Sequence, residues 1–164
     1  MSLDRLWAGW RSAYIEQVTA ADPADECLFC ALAAADDDEA LVVARAPLTF
    51  AALNAYPYTS GHLMVAPVRH VDELESLTAD EAGSVMGMTQ HATAAMKAAY
   101  EPDGVNVGIN LGRAAGAGVP GHLHLHVLPR WVGDTNFMTS VAEARVLPEP
   151  LDRSLERLRA AWPT

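Results

Sequence analysis

The sequence predicts an α+β fold: a mainly antiparallel five-stranded sheet with one long helix and a C-terminal helix. Three observations carry that expectation. Short apolar runs bounded by turn formers read as strands. One stretch of helical periodicity opens at a capping box and closes at a Pro-Asp-Gly stop. The order of elements, several strands, a helix, two strands and a helix, matches the α+β pattern.

In chain order, strands are expected at Leu41–Arg45, Leu48–Leu53 and Gly61–Pro67. The turn Asn54-Ala55-Tyr56-Pro57-Tyr58-Thr59-Ser60-Gly61 between the last two is rich in breakers. Thr78-Ala79-Asp80-Glu81 has capping-box spacing and opens the long helix. Val85, Met88, Ala92, Met96 and Ala99 recur at helical spacing as its apolar stripe, and Glu101-Pro102-Asp103-Gly104 stops it. Two further strands are expected near Val105–Leu111 and His122–Leu128, joined by the glycine-rich loop from Gly112 to Gly121. Pro150 opens a final helix with Leu151, Leu155, Leu158 and Trp162 on one face. Before the first strand, Leu6, Trp7, Trp10 and Tyr14 read as a core or dimer contact.

The 164 residues are expected to form one domain, large enough to bury a core. No run has the length of a membrane span, and the first residues lack a signal-peptide pattern. Two cysteines provide no disulfide framework, so a reducing cytoplasm is the expected location. A net charge of −10 argues against broad contact with a nucleic-acid polymer, which needs clustered cations, but not against a small anionic substrate. The acidic run Asp36-Asp37-Asp38-Glu39 reads as a solvated loop, and His91 as a surface histidine on the long helix.

Two constellations carry chemistry. Three of the six histidines fall in His122-Leu123-His124-Leu125-His126. On a strand, alternate side chains share a face, so the three imidazoles line one side while Leu123, Leu125 and Val127 line the other. A histidine-rich solvated face is the bland alternative. Imidazoles need polar partners, however, and so make poor core filling. Metal ligation and nucleophilic or acid–base catalysis both fit such a row. The adjacent glycine-rich loop can bring backbone N–H groups to phosphate oxygens, which favours phosphoryl or nucleotidyl transfer. The second constellation is Cys27-Leu28-Phe29-Cys30. It reads as half of a tetrahedral metal site, to be completed by histidines, or as a thioredoxin-like redox pair. The redox alternative needs a strand before the motif and a helix at it, and Thr19–Glu26 does not read as a buried strand.

Gly121-His122-Leu123-His124-Leu125-His126-Val127-Leu128-Pro129-Arg130 resembles the signature of the histidine triad (HIT) family of nucleotide hydrolases and transferases. The block from Leu53-Asn54 through Gly61-His62 to His70, and Asn106–Gly112, are similar to two further family segments. Pro129–Phe137 and the N-terminal Leu6-Trp7 to Tyr14-Ile15 resemble a bacterial branch that includes diadenosine tetraphosphate phosphorylases. The likeness covers nearly the whole chain and divides it into an N-terminal extension (1–40), a catalytic core (41–137) and a C-terminal helical segment (138–164).

This resemblance implies a HIT-like fold and a catalytic role for two histidines. His124 would attack the α-phosphorus and His126 would assist the leaving group. Asn54 would meet the ribose, Asn110 and the backbone of Gly118 and Val119 the phosphates, and His62 would support the site. It implies a structural zinc held by Cys27, Cys30, His70 and His122. It also implies a homodimer acting on a small nucleotide. Relatives often carry Gln or Ser where this chain has Gly118, and Pro120 lacks an N–H, so only backbone donors remain there. The expected activity is cleavage of dinucleoside polyphosphates through a nucleotidyl-histidine, with water or phosphate as acceptor. A purine nucleoside phosphoramidase and a non-catalytic, zinc-stabilised nucleotide-binding module are the alternatives.

Overall fold

A computed structural model describes residues 27–134 and 149–163, so the N-terminal aromatics lie outside the described residues. The elements are α1 (Leu28–Ala34), β1 (Val42–Arg45), β2 (Thr49–Leu53), β3 (Leu63–Pro67), α2 (Ala79–Tyr100), β4 (Gly104–Ile109), β5 (Leu125–Arg130) and α3 (Leu151–Ala160). The five strands form one antiparallel sheet in the order β1-β2-β3-β5-β4.

Two apolar layers sandwich this sheet. Ala51, Leu53, Leu63, Val65, Leu125 and Val127 face α2 and α3, meeting Val85, Met88, Ala92, Met96, Leu155 and Leu158. The opposite face presents Phe50, Ala52, Met64 and Ala66, on which Phe29 of α1 packs. Every residue of β2 and β3 is buried because both faces are covered there. The predicted helical stripe is the one α2 buries, and Thr78 caps it as expected. Glu81 N–H donates to Thr78 Oγ1 (3.2 Å), while Thr78 N–H donates to Glu81 Oε2 (2.9 Å).

The β2–β3 turn is set by Gly61. Its φ of +79° favours glycine, and a Cβ there would lie 2.7 Å from the Tyr100 ring. Close packing of the turn on α2 fixes the backbone immediately before His62. The acidic run is less free than its charge suggests, since Asp37 pairs with Arg45 and Asp38 with Arg159.

One strand boundary differs from expectation in a way that shapes the site. The last strand begins at Leu125, not His122. Its ladder with β3 runs Leu63↔Val127, Met64↔His126 and Val65↔Leu125. Two steps further this register would oppose Leu123 to Pro67, which has no N–H to donate. The chain leaves the ladder there, and Leu123 N–H bonds Val71 O (2.7 Å) instead. His126 therefore sits in the sheet, whereas His122 and His124 precede it.

Candidate active site and metal centre

The departure from the ladder directs His122. Its Nε2–H donates to the free carbonyl of Pro67 (3.0 Å), which leaves Nδ1 with a lone pair. That lone pair lies 3.3 Å from Cys27 Sγ and 3.8 Å from Cys30 Sγ. His70 Nδ1 lies 3.4 Å from Cys30 Sγ. One ligand atom from each of these four residues falls within 4.8 Å of every other. Bonds of about 2.3 Å to sulfur and 2.0 Å to nitrogen put tetrahedral ligand atoms about 3.3–3.8 Å apart. The donor set could therefore hold a metal ion, and the carbonyl behind His122 is the kind of outer partner that orients a ligating imidazole.

A helix does open at the cysteine pair, with Cys27 at the N-cap of α1. That meets half of the requirement for a redox pair. Two imidazole nitrogens at bonding range of the thiols nevertheless favour the metal.

His124 makes the opposite use of its ring. Its Nδ1–H donates to the backbone carbonyl of His122 (2.8 Å), so Nε2 carries the lone pair. The ring is 5% exposed and stacks on Phe29, with centroids 4.6 Å apart and planes at 28°. On its other side His126 meets it edge-on at 5.0 Å. Burial pushes the His124 imidazole below its ordinary 6.5, against the bond to His122 O.

The third histidine is ordered by a chain of bonds starting at the β2–β3 turn. Tyr58 N–H donates to His62 Nδ1 (3.2 Å), and Asn54 Nδ2 lies 3.4 Å from the same nitrogen. His62 must then carry its proton on Nε2, which donates to His126 Nδ1 (2.9 Å). The remaining proton of His126 is left on Nε2. Burial, and secondly the neighbouring His124, push His126 down to about 4, so it is neutral at neutral pH. Asn54 Oδ1 accepts Tyr56 N–H (2.9 Å), so its amide braces both the turn and His62.

The predicted residues thus fall into two adjoining groups. Cys27, Cys30, His70 and His122 converge, and His124, His126, His62 and Asn54 converge beside them. Asn110 lies just beyond the end of β4, whose Ile109 pairs with Leu125. Gly118 is half-buried, and Val119 packs on the Phe29 layer. Two residues that sequence reasoning missed also belong here. Phe29 contacts the rings of both His122 (5.3 Å) and His124, and Tyr58 lies against His62 (4.7 Å) and His126 (6.0 Å). Phe29 was signalled by its place inside the cysteine motif. Tyr58 stood in a turn whose breakers hid it.

Comparison with known proteins supplies the family. Residues 36–132 match the HIT domain. A Mycobacterium tuberculosis protein named AP-4-A phosphorylase is 42% identical over 98% of this chain and 85% of its own length. The Arabidopsis thaliana bifunctional bis(5'-adenosyl)-triphosphatase/adenylylsulfatase FHIT is 30% identical over 68% of this chain and 64% of its own. Among solved structures, a Zn-bound histidine triad family protein from Mycobacterium smegmatis superposes with a TM-score of 0.67. It is 28% identical and covers 83% of this chain and 92% of its own. With the HIT domain matched over more than half of its length and a relative 42% identical over nearly all of it, the chain is a HIT-family enzyme of the AP-4-A phosphorylase-like branch.

Proposed function

We propose that the protein cleaves dinucleoside polyphosphates of the diadenosine tetraphosphate type through a nucleotidyl-His124 intermediate, passing the nucleotidyl group to phosphate or water. The observation that carries this is the Nδ1–H bond from His124 to His122 O, which leaves Nε2 as the free nucleophilic nitrogen. His126 Nε2–H is the group that meets the phosphate and the departing oxygen, oriented from behind by His62. Since His126 is pushed down to about 4, it is a hydrogen-bond donor more than a ready source of a full proton. A departing polyphosphate is stable as an anion and needs such a bond. An amine leaving group needs the proton itself, which favours P–O over P–N cleavage.

The phosphates would be received by Asn110 and the backbone N–H groups of Gly118 and Val119. The same loop carries Arg113. The other six described arginines are all in ion pairs (45, 69, 130, 153, 157 and 159), and among the described residues Arg113 has no ion-pair partner. A free cation near this loop suits an anionic substrate on an acidic protein. The second Nδ2 proton of Asn54 remains for a ribose oxygen.

Cys27, Cys30, His70 and His122 are proposed to hold zinc, a choice supported by the existence of a Zn-bound M. smegmatis relative. Four protein ligands leave no position open for water, so it would supply structural bonding. The protein is further proposed to be a cytoplasmic single-domain homodimer. Two cysteines that form no disulfide suit a reducing compartment, and no helix among the described residues is long and apolar enough to cross a membrane. For the dimer, β4 is a sheet edge with Val107 half-exposed, whereas at the β1 edge Arg159 donates twice to Val42 O.

Product analysis with diadenosine tetraphosphate, with and without inorganic phosphate, tests the activity against a His124→Asn control. ADP and ATP formed with phosphate alone would identify a phosphorylase. AMP and ATP formed regardless of phosphate would identify a hydrolase. No product in either would refute the proposal.

A further inference from the structure

We infer that Phe29 serves the nucleotidyl-transfer step directly, its ring face stabilising the positive charge that His124 acquires when it is nucleotidylated. This rests on the function proposed above and names a residue that the triad itself does not include.

The charge follows from the bonds already described. In the first half-reaction the His124 Nε2 lone pair forms a bond to the α-phosphorus. The P–O bond to the bridging oxygen breaks, and its electron pair leaves with the departing polyphosphate, which accepts a hydrogen bond from His126. The Nδ1 proton of His124 stays on its bond to His122 O. The ring therefore gains a formal positive charge by forming a bond, with no proton taken up. When an acceptor oxygen displaces the ring from phosphorus, the lone pair returns and the charge vanishes.

That charge develops on a ring only 5% exposed, where water can contribute little to its stability. Besides His126, which meets the ring edge-on at 5.0 Å, two groups face it. One is the His122 carbonyl. The other is the face of Phe29, stacked at 4.6 Å and 28°, within the range at which an aromatic quadrupole attracts a cation. The contact is firmly held. Phe29 is 1% exposed and belongs to the buried layer with Val42, Phe50, Ala52 and Met64. Its neighbours Cys27 and Cys30 lie against His122 Nδ1, so the chain is pinned on both sides of the ring. A leucine could fill this volume. It could not offer a π face, and that distinction makes the inference testable.

The test measures nucleotidyl-enzyme formation from diadenosine tetraphosphate by rapid quench, in protein loaded with zinc. It compares the wild-type chain, Phe29→Leu, and proteins with mono-, tri- or pentafluorophenylalanine in place of Phe29. Fluorination withdraws charge from the ring face while nearly preserving its shape, so it avoids the folding risk of the leucine variant. Zinc content and KM are read alongside. The expected result is a graded fall in the adduct-formation rate along the fluorine series, reaching roughly tenfold for pentafluorophenylalanine and Phe29→Leu. Zinc content and KM stay unchanged. Equal rates across the fluorine series would overturn the inference, whatever the leucine variant does, because Phe29 would then act by shape alone. Absence of any adduct in the wild-type chain would instead overturn the proposed function, and this inference with it.

Discussion

His122 and His126 stand at the two ends of one five-residue run and use the same two ring nitrogens in different ways. At His122 a backbone carbonyl takes the Nε2 proton, and Nδ1 faces two thiols. At His126 a neighbouring imidazole donates to Nδ1, and the Nε2 proton remains for chemistry. The partner on one nitrogen decides what the other can do. His124, between them, takes its orientation from the metal end through the His122 carbonyl and its edge contact from the catalytic end. The proposed metal site and the proposed catalytic site thus meet at one peptide unit, and substitutions should be able to separate them.

The largest separation is expected at His124. His124→Asn should lower kcat on the order of ten-thousandfold to a millionfold, the usual range for loss of a nucleophile. Metal content and thermal midpoint should stay near wild type, as neither group of metal ligands is touched. Equal metal loss in His124→Asn and His70→Ala, read by mass spectrometry of the native protein, would break the division between the two ends.

Removing the metal is the converse change. A metal present at a thousandfold above its Kd stabilises by about 4 kcal/mol, roughly 8–16 °C in midpoint for a domain of this size. Chelation, or Cys30→Ser, should therefore produce a fall of that order in a thermal melt, with a much smaller loss of kcat than His124→Asn. At the other end, His62→Ala removes the donor that orients His126. It should lower kcat roughly a hundredfold with metal content unchanged and the melt little altered. A metal loss in His62→Ala would show that the two ends are not independent.

How much of this was legible in the sequence follows the same division. The strands and both long helices were legible because period and caps act locally, as with Thr78 and Glu81 on α2. The clustering of His122, His124 and His126 was legible because alternation survives even where the ladder does not. The convergence of the candidate metal set was only half legible from the residues themselves. Cys27 and Cys30 announce a site, but nothing in their spacing selects His70 and His122 over four other histidines, and family resemblance supplied that choice. The start of the last strand was misjudged because the cause lies in another strand, where Pro67 ends the pairing. Phe29 was missed for a related reason: its partners are more than ninety positions away, and only the folded sheet brings them together.

The smallest expected effect concerns what holds His70 in place. The adjacent Arg69 makes a two-pronged ion pair with Glu81 (2.7 and 2.8 Å) and a bond to Ser76 O (2.9 Å), tying the segment after β3 to the start of α2. Hydrogen bonds from Arg69 and then from Thr78 hold the Glu81 carboxyl well below its ordinary 4.5, at about 2. A depressed carboxyl stabilises the fold while it is ionised. Its contribution is therefore complete above about 4.5 and fades as pH falls toward about 2. In metal-free protein, the midpoint advantage of wild type over Glu81→Gln should be constant near neutrality and close across that acid window. At neutral pH, Glu81→Gln should weaken zinc binding a few-fold by loosening the His70 segment, while leaving kcat of the zinc-loaded enzyme unchanged. A fall in kcat without loss of zinc affinity would place this ion pair with the catalytic end, contrary to its position beside His70.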